Sequence, residues 1–126
     1  MNNIESRRSI LFLDNDRVSR EVVKSYLTDS YNIEVEENIE EALIKISKRK
    51  YDLILLDINL GVGMTGLDVL RFQRMSHLNS QTPSIAITAY AMEGDREEFI
   101  EAGFSDFLSK PFSRKDLNTV IKKYIN

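Results

Sequence analysis

Short apolar segments alternate with amphipathic segments along the whole chain, and this alternation restricts the possible folds more than any other feature. Apart from residues 31–36, these segments are too short for a buried helix and are rich in Ile, Leu or Phe, which is typical of a strand buried on both faces. Residues 31–36 alternate apolar and polar side chains, which suggests a strand nearer an edge of the sheet. The five predicted strands span residues 9–13, 31–36, 51–57, 84–88 and 106–108. Strands that alternate with helices form a parallel sheet covered on both faces. The sequence therefore predicts a doubly wound α/β domain.

The segment after the first strand has the apolar periodicity of a helix that packs on a sheet. Val18, Val22 and Tyr26 recur every four residues, and Val23 and Leu27 lie beside them. A stripe of this spacing marks the buried side of an amphipathic helix. We therefore expect all five side chains to face the sheet.

The later helices are predicted from similar stripes and from their ends. Leu67, Leu70, Met75 and Leu78 predict a third helix that extends to about residue 78. Gly103 is expected to end a fourth helix at residues 95–102, because glycine readily adopts the left-handed conformation found there. Capping pairs predict where the second helix and the last helix begin. These pairs are Asn38 with Glu41 and Ser113 with Asp116.

Composition limits the classes of protein to which this chain can belong. Its 126 residues suit a single domain over residues 1–126, with an ordered core at about 9–125. The net charge of -3 argues against a broad nucleic-acid surface. No apolar run is long enough to cross a bilayer, and the first eight residues lack the apolar region of a signal peptide. We expect a cytoplasmic protein without nucleic-acid or membrane partners.

Polar side chains follow four of the predicted strands at the point where each strand ends. The carboxyl ends of parallel strands lie at one edge of the sheet, and the first and third strands would be neighbours at the switch point. We therefore expect these side chains to converge. They are Asp14, Asn15 and Asp16 after the first strand, Asp57 at the third, Thr88 at the fourth and Lys110 after the fifth.

This combination of residue types suits phosphoryl transfer to an aspartate. Several carboxylates at one point repel each other unless a cation is present, and oxygen ligands of this kind suit Mg²⁺. A lysine and a threonine hydroxyl can both bind phosphoryl oxygens. A carboxylate can itself be the nucleophile and form an aspartyl phosphate.

Four motifs along the chain together resemble the receiver domain of two-component response regulators, in the CheY-like superfamily. Residues 10–16 resemble the acidic turn of that family, and residues 52–57 resemble its phosphoacceptor strand. Residues 85–89 resemble the switch-hydroxyl segment, and residues 102–112 resemble the aromatic-lysine-proline ending. The resemblance implies a five-stranded, flavodoxin-like (βα)5 fold with strand order 2-1-3-4-5. It also implies a phosphoacceptor rather than an enzyme that turns over small molecules.

The resemblance implies a magnesium site around the phosphoacceptor. It assigns phosphate acceptance to Asp57 and metal binding to Asp57, Asp14, the Asn15 position and the backbone carbonyl of Asn59. Asp16 could add a further ligand, or it could only cap the first helix.

The resemblance also implies a switching mechanism. Lys110 would bind the phosphoryl group, Thr88 would be the switch hydroxyl and Phe107 the aromatic that rotates. The Lys110-Pro111 bond is expected to be cis, which only an X-Pro bond adopts at low cost.

Three features depart from the usual pattern of the family. Asn15 stands where a second acidic metal ligand is usual, which predicts weaker Mg²⁺ binding. Phe107 replaces a frequent tyrosine and so lacks the hydroxyl. The loop after Asp57 is one residue longer before Gly66. With this loop and residues 88–92, the chain is most similar to receivers of hybrid sensor kinases or to single-domain response regulators.

Two other functions are compatible with the same residues. Residues 11–18 also resemble the first motif of haloacid-dehalogenase-type phosphatases, in which Asp14 would be the nucleophile and Thr88 and Lys110 would assist. That reading leaves Asp57 without a role, and the chain is short for such an enzyme. The other interpretation is a degenerate receiver that binds partners without being phosphorylated, and Asn15 is the only feature that supports it.

The receiver resemblance also implies the kinds of partner. A histidine kinase or a histidine phosphotransfer protein would supply the phosphoryl group, and a downstream protein would recognise the switched face. Since the sequence shows no output domain, the chain would act through protein contacts alone or as part of a longer protein. We expect a monomer or a weak homodimer.

Overall fold

The computed structural model describes residues 6–61, 63–89 and 94–126 and contains five strands alternating with five helices. Tyr90, Ala91 and Met92, on which the similarity to hybrid-kinase receivers partly depends, lie outside this range. The elements are β1 Ser9–Leu13, α1 Arg17–Leu27, β2 Asn32–Glu36, α2 Ile39–Lys48, β3 Leu53–Asp57, α3 Gly66–Met75, β4 Ser84–Thr88, α4 Asp95–Ala102, β5 Asp106–Ser109 and α5 Arg114–Lys122.

All four strand pairs are parallel, and the strand order is β2-β1-β3-β4-β5. This is the predicted flavodoxin-like arrangement. The strand order reverses between β1 and β3, which are direct neighbours paired from Ile10↔Leu53 to Leu13↔Leu56. A ligand site is expected outside the carboxyl ends of the strands at this point.

Alternate residues of the central strands point to opposite faces of the sheet and build two cores. One core joins Leu11, Ile54 and Leu56 to residues of α2, α3 and α4. The other joins Phe12 and Leu55 to residues of α1 and α5. Burial on both faces explains why β1, β3 and β4 are almost continuously apolar in sequence.

Helix ends follow the predicted capping chemistry. The side chains of Asn38 and Ser113 accept backbone N–H bonds at the starts of α2 and α5. Gly103 ends α4 with a φ of 117°, in the left-handed region. Among the described residues, no helix has the length and apolar character needed to span a membrane.

The buried stripe of α1 differs from the expected one. Val23 and Leu27 are buried, whereas Val18 is 66% exposed and Val22 and Tyr26 are only half-buried. Residues i and i+4 are displaced by 40° around a helix, so two neighbouring lines of apolar residues fit the same periodicity. Contact with the sheet selects the line through Val23 and Leu27.

The third helix is shorter than predicted, and its last residue points to solvent. It ends at Met75, which is 88% exposed, and Leu78 is also exposed. Two of the residues after Met75, Ser76 and Asn79, are polar and buried. Their side chains donate hydrogen bonds to the backbone oxygen of Ile46. These bonds attach the α3–β4 connection to the end of α2, which an apolar pattern cannot predict.

Candidate functional site

The register between β1 and β3 places two aspartates side by side at the carboxyl edge of the sheet. Leu13 pairs with Leu56, and the next residue on each strand is Asp14 or Asp57. Asp14 is completely buried, and Asp57 is 4% exposed. Carboxylates are seldom buried to this extent without a partner, so the pair indicates a site that uses their charge.

Lys110 provides the cation for both carboxylates. Its Nζ lies 2.6 Å from Asp14 Oδ2 and 3.3 Å from Asp57 Oδ2. Its backbone N–H donates to the carbonyl oxygen of Thr88 at 2.7 Å, which fixes the residue beside the end of β4. The Lys110-Pro111 peptide bond is cis, the isomer expected from the sequence.

The electrostatics of the three groups are coupled. Burial raises the pKa of Asp57, and the neighbouring Asp14 carboxylate raises it further, to about 6. Burial opposes the charged form of Lys110, but the carboxylates of Asp14 and Asp57 outweigh this and hold the lysine pKa above its usual value. One ammonium therefore faces two carboxylates and leaves an excess of negative charge at the site.

The backbone around Asp57 is closely packed. The N–H of Asn59 donates to Asp57 Oδ1 at 3.0 Å. A Cβ on Gly66 would lie 2.5 Å from the backbone oxygen of Asp57 and 3.0 Å from the Cα of Ile58. Only glycine fits at the start of α3 without moving the end of β3, a constraint that was not recognised in the sequence.

The side chains of Asn15 and Asp16 point in different directions. Asp16 caps α1, because its carboxylate accepts hydrogen bonds from the N–H groups of Val18 and Ser19 and from the Ser19 hydroxyl at 2.9 Å. The Ser19 hydroxyl lowers the pKa of Asp16. Asn15 is exposed, and its Nδ2 would lie 3.6 Å from a Cβ at Gly61. Asn15 therefore reaches toward the loop that follows Asp57, whereas Asp16 is directed to the helix.

The two predicted switch residues lie on the strands beyond Asp57. Thr88 is the last residue of β4 and is buried. Phe107 lies on β5, where it is partly buried against the core that contains α4. Its ring centroid is 6.1 Å from that of Phe99, with a tilt of 47° between the rings. Any movement of Phe107 would thus change its packing against α4.

The donor set fits a magnesium ion. Within residues 6–61, 63–89 and 94–126, no three acidic or histidine side chains group together as a metal site. The site offers the carboxylates of Asp14 and Asp57, and the exposed Asn15 follows Asp14 directly in the chain. Mg²⁺ is usually bound through one or two carboxylates and keeps waters that a phosphate can replace. The excess negative charge of the buried pair also favours a cation.

Arg20 approaches the site but was not identified from the sequence. It lies three residues before Val23 and seven before Leu27, on the same side of α1, and its Nη1 donates to the backbone oxygen of Asp14 at 2.9 Å. A charged residue on the buried side of an amphipathic helix is the sequence signal that could have identified Arg20. The expected stripe through Val18 and Val22 concealed that signal.

Similar proteins come from two-component signalling. The chain is 34% identical, over 94% of its length, to hybrid signal transduction histidine kinase I of Dictyostelium discoideum, of which it covers 7%. It is 35% identical, over 90% of its length, to transcriptional regulatory protein ResD of Bacillus subtilis, of which it covers 46%. The chain thus spans less than half the length of these curated relatives.

Solved structures give the same similarity at the level of the fold. Chemotaxis protein CheY4 of Vibrio cholerae superimposes with a TM-score of 0.88 at 27% identity, covering 95% of this chain and 100% of the other. The receiver domain of a sensor histidine kinase from Pseudomonas aeruginosa gives a TM-score of 0.85 at 30% identity, covering 95% and 98%. The latter structure is described with a magnesium ion coordinated in its active-site cleft.

The family model of the response regulator receiver domain matches residues 10–122, which include all four sequence motifs and every strand residue except Ser9. This match argues against the phosphatase interpretation, which requires membership of another family. The chain belongs to the response regulator receiver domain family.

Proposed function

We propose that this domain is a phosphoacceptor switch in which Asp57 receives a phosphoryl group. One observation carries the proposal: a nearly buried Asp57 lies at the switch point of the sheet, with Asp14 beside it and Lys110 Nζ 3.3 Å from its Oδ2. The raised pKa of Asp57, about 6, still leaves the carboxylate mostly ionised near neutral pH. An ionised carboxylate is the form that acts as a nucleophile.

The transfer is a substitution at phosphorus. A carboxylate oxygen of Asp57 forms a bond to the phosphorus of a phosphohistidine, and the phosphorus–nitrogen bond breaks. The imidazole nitrogen keeps the electron pair and takes a proton from water, while Asp57 becomes an acyl phosphate. Lys110 is positioned to bind a phosphoryl oxygen through its ammonium group.

Metal binding is assigned to the same edge of the sheet. Asp14, Asp57, the amide oxygen of Asn15 and the backbone carbonyl of Asn59 would hold Mg²⁺, and Asp16 is left to cap α1. When bound, Mg²⁺ offsets the negative charge that collects on the phosphoryl oxygens and the carboxylates. Within the described part of the chain, Lys110 is the cation that pairs with both carboxylates.

The response to phosphorylation is assigned to Thr88 and Phe107. The Thr88 hydroxyl would donate to a phosphoryl oxygen and move toward Asp57. Phe107 would follow, and its contact with Phe99 would transmit the change to α4. This is a population shift between two packings that a new local charge drives.

The proposed partners follow from this chemistry. A histidine kinase or histidine phosphotransfer protein supplies the phosphoryl group, and a protein target reads the surface formed by α4, β5 and α5. We place the domain, residues 1–126, in the cytoplasm as a monomer or weak homodimer, without nucleic-acid or membrane partners. It accepts phosphate and does not turn over small molecules.

Intact-mass spectrometry after incubation with acetyl phosphate and Mg²⁺ tests the proposal. The wild-type chain, Asp57→Asn and Asp14→Asn are compared. We expect the wild type to gain one phosphoryl group and Asp57→Asn to gain none. Asp14→Asn should retain a reduced gain, because it loses a metal ligand but keeps the acceptor.

Other results would support the alternative functions. A gain that disappears only in Asp14→Asn would indicate the phosphatase-type nucleophile. No gain in any folded sample would favour the degenerate binding module that Asn15 suggests. In that case, failure to bind the stable mimic beryllofluoride would exclude a short-lived phosphorylated state.

A further inference from the structure

The guanidinium of Arg20 joins the acidic turn after β1 to the end of β2. The side chain is only 14% exposed. Nη1 donates to the backbone oxygen of Asp14 at 2.9 Å, and Nη2 lies 3.4 Å from Glu37 Oε2. The planar fork of an arginine can hold two acceptors in one fixed arrangement, whereas the ammonium of a lysine is a point charge.

The segment that Arg20 holds is itself fixed. The Glu36 carboxylate accepts hydrogen bonds from the N–H groups of Glu37 at 3.1 Å and Asn38 at 3.2 Å. The backbone oxygen of Glu36 accepts the N–H of Asp14 at 3.0 Å. Arg20 therefore attaches the carbonyl of Asp14 to the same strand end that already binds its N–H.

The side chain of Asp14 depends on this backbone. Its Oδ1 accepts the N–H of Asp16 at 2.8 Å, and its Oδ2 accepts Lys110 Nζ at 2.6 Å. Without Arg20, the mostly buried carbonyl of Asp14 would lose a charge-assisted bond, which is costly in the interior. The turn could then rotate to expose the carbonyl, and the carboxylate would move with it.

We propose that Arg20 is a positioning residue that fixes Asp14 for metal binding and phosphoryl transfer. The inference rests on the proposed function, because that function gives Asp14 its role as a metal ligand. Groups that hold a ligand from outside the coordination sphere commonly change metal affinity by about tenfold or more when removed.

The sign of the effect separates positioning from simple charge. Arg20 is a cation close to a cation site, so its charge alone opposes Mg²⁺ binding. If only the charge mattered, its removal would strengthen Mg²⁺ binding. If Arg20 positions Asp14, its removal weakens Mg²⁺ binding in spite of the more favourable electrostatics.

Calorimetric Mg²⁺ titration of Arg20→Met, Arg20→Lys and Arg17→Met tests the inference. Arg17 is a matched control, because it lies on the same helix with an 82% exposed side chain that pairs only with Glu21 among the described residues. We expect Arg20→Met to raise the dissociation constant about tenfold. Arg20→Lys should lie between Arg20→Met and the wild type, and Arg17→Met should bind Mg²⁺ at least as tightly as the wild type.

Hydrogen exchange of the Asp16 amide in metal-free protein gives a second, independent readout. This amide donates to Asp14 Oδ1, so it should exchange faster in Arg20→Met and at the wild-type rate in Arg17→Met. Far-ultraviolet circular dichroism confirms that each variant is folded.

The inference is overturned if folded Arg20→Met binds Mg²⁺ as tightly as Arg17→Met and its Asp16 amide is protected as in the wild type. If the wild type itself binds no Mg²⁺, the metal role in the proposed function fails. The exchange of the Asp16 amide then decides alone whether Arg20 positions Asp14.

Discussion

The surroundings of Asp57 differ strongly from those of an ordinary surface carboxylate. Burial and the Asp14 carboxylate both favour its neutral form, whereas the N–H of Asn59 and Lys110 favour the charged form. The ionised carboxylate is therefore held in the folded protein at a cost in stability. A cation bound at this point would offset part of that cost.

The pH dependence of stability follows from the raised pKa of Asp57. A folded-state pKa of about 6 against a usual value of 3.8 means that the folded state binds the proton more tightly. The stabilisation from protonation is present below the usual value and is lost as the pH rises through about 6. Without Mg²⁺, we therefore expect Asp57→Asn to be more stable than the wild type at pH 7.5, by roughly 1–3 kcal/mol.

Urea unfolding of both proteins between pH 4 and pH 7.5 measures this difference, which should shrink toward the acid end. Asp52→Asn is the control, because Asp52 lies just before the same strand and pairs with Arg8 at the opposite edge. A gap between the wild type and Asp57→Asn that does not change with pH would contradict the expectation.

Asn15 gives a second prediction at the scale of single residues. Replacing its amide by a carboxylate adds a negative charge beside Asp14 and Asp57, so Asn15→Asp should bind Mg²⁺ several-fold more tightly. Asp16→Asn should leave both Mg²⁺ binding and stability nearly unchanged, because Asp16 caps α1 and asparagine caps a helix about as well as aspartate. Calorimetric Mg²⁺ titration compares the three proteins, and equal affinities for the wild type and Asn15→Asp would refute the prediction.

At the scale of elements, the strands were predicted better than the helices. The predicted bounds of β1 and β4 agree with the structure because a strand buried on both faces is marked by nearly every residue in it. In a helix, only the residues on the buried side are apolar, and the periodicity of the sequence does not distinguish between two neighbouring sides. This ambiguity placed Val18 in the core and concealed Arg20.

The junction between β3 and α3 makes a prediction about an element boundary. A Cβ at Gly66 would overlap the backbone of Asp57 and Ile58, so Gly66→Ala must displace either the end of β3 or the start of α3. We expect a loss of roughly 1–3 kcal/mol in the free energy of unfolding, which urea denaturation measures. Phosphorylation by acetyl phosphate should also slow, because the displaced segment carries the acceptor.

Gly63→Ala provides the comparison in the same loop. A Cβ at Gly63 would meet nothing within 4 Å, and the variant carries only the strain of a φ of 101°. Its phosphorylation rate should stay close to that of the wild type. If Gly66→Ala is phosphorylated as fast as Gly63→Ala, the close approach to Asp57 has no functional consequence.

At the scale of the whole molecule, the topology brings together residues that are distant in sequence. Lys110 lies 96 residues from Asp14 and 53 from Asp57 along the chain, yet its Nζ contacts both. This convergence was predictable, because parallel strands share one edge for their carboxyl ends. The cap formed by Asp16 was one of the two roles that the sequence suggested for that residue. The bond from Arg20 to the Asp14 carbonyl was not predicted, since it depends on side-chain directions within one turn.

The most direct test of the proposed function is to locate the phosphoryl group chemically in the unmodified chain. After reaction with acetyl phosphate and Mg²⁺, borohydride reduces an aspartyl phosphate to homoserine and releases phosphate. Trypsin then separates the two candidates, because Asp57 lies in peptide 51–71 and Asp14 in peptide 9–17. We expect homoserine at position 57 alone, whereas homoserine at position 14, or in neither peptide, would contradict the assignment of Asp57 as the phosphoacceptor.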